Sequence, residues 1–214
     1  MTWTPVRPAA TAVRVLLLLC TALAWPTALR AQDARLGARL DGATASAVAA
    51  VVDSARNAGL PTEPLVQKAL EGASKGADGA RIAAAVRRLA QRLGAARSAL
   101  GAGAREDELV AGAAALELGA GTTTLARLRA QQPDRPIAAA LVGLSFLLQR
   151  GVPAQGSLDI VRSMLEARLS DADFSALQRL IDQDVRAGAT AADAASTRAR
   201  ALIQHPRLRG GGVR

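Results

Sequence analysis

The chain holds one cysteine, one histidine, no tyrosine, two phenylalanines and two tryptophans in 214 residues. Each scarcity excludes a chemistry. A single cysteine cannot form an intrachain disulfide, and one cysteine with one histidine cannot furnish a Cys/His zinc site. The histidine, His205, stands beside Pro206 in a basic, glycine-rich end segment. That position reads as a solvated side chain, so Ser–His–Asp and Cys–His catalysis lack a base. No Gly-x-Ser-x-Gly elbow occurs. Residues 72–76 (Gly-Ala-Ser-Lys-Gly) superficially resemble a phosphate loop, but the required Gly-to-Gly-Lys spacing is absent and no strand precedes them. Aromatics make up only 2% of the chain, which leaves no platform on which sugars or bases could stack. No motif implies a cofactor.

Residues 1–31 read as a secretory signal peptide. Arg7 and Arg14 precede an apolar run from Val15 to Trp25, Pro26 breaks it, and Leu29-Arg30-Ala31 offers a cleavage site after Ala31. Cleavage after Ala24 is the alternative. The uncharged stretch from Val15 to Leu29 falls short of the ~20 residues a spanning helix needs, so a retained membrane anchor is the secondary reading. Leu19 before Cys20 does not suit a lipoprotein signal. Export takes the protein away from nucleic acid and confines membrane contact to the leader before cleavage. Removing residues 1–31 takes three arginines, no acid, Cys20, Trp3 and Trp25. The net charge of +9 then falls to +6, with 24 basic against 18 acidic residues.

What remains is rich in alanine, leucine and arginine, and poor in β-branched and aromatic residues. That composition favours helix. Residues 32–204 read as a single all-α domain, and 205–214 as a basic Gly/Arg-rich tail expected to be disordered. The proposed helices are 43–58, 62–75, 78–99, 105–118, 122–131, 134–150, 156–168, 171–187 and 190–204. Five of them stop on one grammar, a glycine followed by an apolar residue, at Gly59, Gly76, Gly119, Gly151 and Gly188. Glycine supplies the left-handed conformation that closes a helix. Thr62, Asp78, Thr122 and Thr190 then stand where a side chain can cap the next helix, and residues 170–173 (Ser-Asp-Ala-Asp) read as a capping box. Pro64 and Pro136 each read as lying in the first turn of a helix, where a missing N–H costs nothing.

Ile82, Val86, Leu89, Leu93, Ala96 and Leu100 form one apolar stripe; Phe174, Leu177, Ile181 and Val185 form another. Residues 137–148 carry no charge and predict a fully buried central helix with Phe146 near mid-core. Truncating Phe146 to Ala is then expected to cost about 3–5 kcal/mol. Residues 70–89, 113–128 and 182–202 share a helix–turn–helix layout, but their turn glycines are unevenly spaced. The expected fold is therefore a compact bundle of eight to nine helices arranged as hairpins, with a short irregular α-solenoid as the alternative.

Two acidic clusters are candidates for acid–base chemistry: Asp182 with Asp184, and Glu106-Asp107-Glu108. The first pair points in different directions on a helix. The trio opens a helix, where negative charge suits the dipole, and both read as solvated structural groups. The basic residues Arg81, Arg88 and Arg92 lie beside the apolar stripe of helix 78–99, with Arg87 and Arg97 further round, and make the candidate contact for an anionic partner. GC-rich coding also favours arginine, so a solvated helix face in a GC-rich genome is the competing reading. The resulting expectation is an exported, bacterial-type helical protein without a catalytic role, contacting another protein or an anionic envelope component. The alternative is a carboxylate-type enzyme, or a binder of a small apolar ligand between helices.

Overall fold

The computed structural model describes residues 34–204, together with Met1. The signal-peptide reading with its cleavage sites at Ala31 and Ala24, and the tail at 205–214, lie outside the described residues.

A helical turn over residues 34–37 precedes nine helices: α1 Gly42–Asn57, α2 Glu63–Ser74, α3 Gly79–Leu100, α4 Glu106–Glu117, α5 Thr122–Gln131, α6 Ala138–Gln149, α7 Ala154–Glu166, α8 Asp171–Arg186 and α9 Ala191–Gln204. All nine proposed helices are present, and no strand occurs among the described residues. The protein is an all-α bundle.

The stop grammar holds. Gly59, Gly76, Gly119, Gly151 and Gly188 all have φ between 66° and 100°. In each case the next residue donates its N–H to the carbonyl five residues back, as Leu60 does to Ala55 at 2.9 Å and Val152 to Leu147 at 3.0 Å. This satisfies carbonyls that a helix end leaves unpaired and folds the apolar residue onto the last turn. A sixth closure has the same bonds with an arginine in the glycine position. Arg168 adopts φ 53°, and Leu169 donates to Met164 at 3.0 Å.

Starts were less legible. Asp78 accepts from the Arg81 N–H at 2.8 Å, Thr190 caps Asp193, and Ser170 and Asp173 form the expected box. Thr62 makes no side-chain cap, because its own backbone is already near-helical, and Gly121 rather than Thr122 occupies the cap of α5. Asp134 and Pro136 do not open α6. The connection over residues 132–137 is held by side chains instead: Arg129 donates to the carbonyls of Gln132 and Arg135, and Glu108 accepts the Ile137 N–H at 2.8 Å. The helix begins only at Ala138.

Extended helix contacts join elements one or two places apart in the chain. The odd helices touch in succession from α1 to α9, and α4, α6 and α8 do the same. The α2/α3, α6/α7 and α8/α9 pairs pack as hairpins, while α4 and α5 join through the Gly119 turn and pack mainly on α6 and α3. Their turn glycines, 76, 119, 151 and 188, are spaced by 43, 32 and 37 residues. With Gly151 included the spacing remains uneven, as the sequence reading had it, and fits a bundle without a fixed repeat. α3 is the hub and touches α1, α2, α4 and α5. One continuous apolar cluster runs from Leu36 to Leu202.

α6 packs on α4, α7 and α8 through Leu141, Leu144 and Leu147, yet it is not buried all round. Val142 is 47% exposed. Phe146 is also displaced from the core centre, packing at its margin with the Arg150 guanidinium over its ring. Phe174 is the buried aromatic, against Gly143 of α6.

Candidate functional site

α2 and α3 form a hairpin across the Gly76 turn. Gly72 lets them approach: a Cβ there would stand 2.8 Å from Cγ1 of Ile82. Above this contact the helices diverge into a groove of about 470 Å³, floored by Gly72, Ala77, Ile82, Ala84 and Ala85. Small side chains leave the floor open, and long cationic ones make the walls. Lys68 and Lys75 line it from α2 and its C-cap, and Arg81 and Arg88 from α3. Residues seven apart on a helix share a face. Each wall therefore carries its two cations in line.

Among the described residues, Glu71 is the one carboxylate that lines the groove. It takes an ion pair from Lys75 and another from Lys68 at 3.1 Å, and these two lysines hold its carboxyl below the ordinary carboxylate value. Arg81 folds toward its own cap residue, Asp78, at 3.1 Å, yet remains largely exposed. Arg88 makes no hydrogen bond or ion pair with a described residue. The groove is thus a basic cleft with partly satisfied cations at its margins and one free guanidinium.

The sequence-based trio does not act as a unit. Arg81 and Arg88 share the groove, but Arg92 turns away, 23% exposed and ion-paired with Glu117 of α4 at 3.2 Å. Arg97 is likewise structural, since it donates to the carbonyls of Ala102 and Gly59 and so ties the ends of α3 and α1. Arg87 bonds back to the Ala83 carbonyl on its own helix. The site's missing members in the sequence reading were the two lysines. They are the only lysines in the chain, and coding bias toward arginine does not account for them. Their coincidence on one face with Arg81 and Arg88 was the available signal.

The acidic clusters resolve into arginine partners. Asp184 takes a bidentate pair from Arg198 of α9, both bonds at 2.6 Å, and Arg198 holds its carboxyl below the usual value. Asp182 pairs with Arg150. It lines a second groove, of about 620 Å³ between α8 and α9, where Arg179 and Arg186 are also found. Glu108 is not solvated as expected. It is 2% exposed and receives Arg129, the Ile137 N–H and the Arg105 N–H at 2.9 Å. The sequence reading missed it because its partners lie 21 and 29 residues away. Its three contacts join the start of α4, the end of α5 and the start of α6.

Among the described residues no group of three or more His, Cys, Asp or Glu converges to hold a metal ion. No helix among them is long and apolar enough to cross a membrane. No known protein family, curated protein or solved structure matches the chain.

Proposed function

We propose that the protein is an exported, non-catalytic helical interaction protein whose α2–α3 groove engages an anionic partner. The observation that carries this reading is the convergence of Lys68, Lys75, Arg81 and Arg88 around an apolar floor. Opposed positive walls around a low-dielectric floor focus a field more strongly than the same charges spread on a convex surface. Satisfied carboxylates at Asp184 and Glu108 support a structural role for the acidic residues.

The test compares three proteins immobilised and exposed to an envelope fraction at low salt. They are the wild type, Lys75→Glu/Arg88→Glu, and Arg179→Glu/Arg186→Glu as a control with the same change in net charge. A groove-specific contact is retained by the wild type and the control, is lost from the groove variant, and fades as salt shortens the Debye length to about 10 Å and below. Equal retention by all three, or none by the wild type, overturns the reading. Export is tested separately by sequencing the N-terminus of the protein recovered from the periplasm or medium. A start at Gln32 or Trp25 is expected, and an intact Met1 in a cytoplasmic fraction refutes it.

A further inference from the structure

We infer that the α2–α3 groove receives an acidic amphipathic helix of a partner protein, a conclusion that rests on reading this groove as the anionic site. Three features select that occupant. The first is shape. The floor of Ala77, Ala84 and Ala85 lies below walls of long side chains, where a flat bilayer surface cannot reach and where a polysaccharide would find apolar carbon without an aromatic to stack on.

The second is spacing. Lys68 to Lys75 and Arg81 to Arg88 are each seven residues, so their Cα atoms lie about two helical turns and ~10.5 Å apart along the axis, with the two lysine side chains leaning in on Glu71 between them. Carboxylates seven apart on a bound helix match that interval on one face. An extended chain covers it in about three residues, and three steps of a period-two strand put the side chains on opposite faces. The hairpin turn sets Lys75 beside Arg81 and Lys68 beside Arg88, so the two walls demand two acidic lines on the ligand with apolar residues between them. That pattern is the apolar face of an amphipathic helix flanked by acids.

The third is charge. Four cations face two carboxylates, Glu71 shared between both lysines and Asp78 on Arg81. Two incoming carboxylates complete the neutralisation, one of them giving Arg88 its missing partner. Leucine or alanine on the ligand's central stripe then covers the small-residue floor.

The experiment titrates fluorescein-labelled probes into the purified protein at low salt and follows anisotropy. One probe is a peptide of about five helical turns, with a Leu/Ala stripe flanked by glutamates at seven-residue spacing. The others are a scrambled peptide of identical composition, a proline-interrupted version, polygalacturonate, and phosphatidylglycerol vesicles. The amphipathic peptide is expected to bind at least about tenfold more tightly than the scrambled and proline versions. Binding should fall by a similar factor in Lys75→Glu/Arg88→Glu, and in Ala84→Leu, which fills the floor without changing charge. Circular dichroism confirms that each variant keeps its helix content. Equal binding of the scrambled peptide, the polyuronate or the vesicles overturns the helical occupant while leaving an anionic groove. No binding by any probe, or binding indifferent to the groove charges, overturns both.

Discussion

Glu108 shows how much one side chain decides. Burial by itself pushes its carboxyl upward, but the N–H groups of Arg105 and Ile137, with Arg129 beside them, outweigh that and hold it below its ordinary value. Removing one partner of a buried pair leaves the other charge uncompensated. Glu108→Ala and Arg129→Ala are each expected to destabilise the protein by about 3 kcal/mol in urea denaturation, near the lower end for such pairs because Arg129 is partly exposed. Their double variant should cost clearly less than the two added together. A depressed folded-state pKa also fixes the sign of the pH response. The contribution is complete above the unfolded carboxyl value of 4.5 and is lost as pH falls through the folded value. Glu63, held to about 2 by the bidentate Arg35 and by Gln67, acts in the same window. Thermal stability should therefore decline between pH 4.5 and about 2. Glu108→Gln should flatten that decline; an unchanged profile would remove Glu108 as a contributor. The aromatic pair makes the same point about position. Phe174→Ala should cost about 3–5 kcal/mol and Phe146→Ala distinctly less, a reversal of the sequence expectation that unfolding curves can check.

At the level of the helix, legibility followed how local the determinant is. Five closures were readable because glycine is the residue that enters the left-handed region without a Cβ penalty, and it leaves a visible mark. The sixth was invisible because Arg168 makes the same bonds with a side chain that signals nothing. That difference is measurable. Arg168→Gly removes a strained conformation and should raise stability by roughly 0.5–1 kcal/mol, a few degrees in melting temperature. Gly151→Ala should do the opposite at φ 81°. A neutral or destabilising Arg168→Gly would show that the arginine side chain contributes more than its backbone costs. The start of α6 was unreadable for a different reason. Its position depends on Glu108 and Arg129 reaching across sequence distance, whereas Asp78 and Ser170 cap residues three positions away. The groove divides in the same way. Arg81 and Arg88 were visible as one face of a periodic helix, but Lys68 and Lys75 join them only after the hairpin closes, and Arg92 leaves them for a partner on α4.

Across the described helices, extended contacts run between neighbours one or two places apart, so the most heavily contacted helices carry most of the stability. Among the described helices, α3 and α6 each make extended contacts with at least three others, while α9 makes them with α7 and α8. α9 also brings small buried groups, with Ala194, Ala195 and Ala199 beside Leu202, so less apolar area holds it than holds α3 or α6. A part-buried, bidentate Arg198–Asp184 pair ties it to α8. Native-state hydrogen exchange should therefore reveal a gradient, with amides of α9 opening at lower free energy than those of α3, α4 and α6. Arg198→Ala should widen that gap by loosening α9 while leaving α3 unchanged, because no extended contact connects them. A protein that unfolded as one indivisible unit would exchange its slowest amides at one common free energy, and Arg198→Ala would lower them all together. The groove lies between α2 and α3, against the hub and away from α9. Binding of an acidic ligand there should accordingly slow exchange in α2 and α3 and leave the opening of α9 as it was.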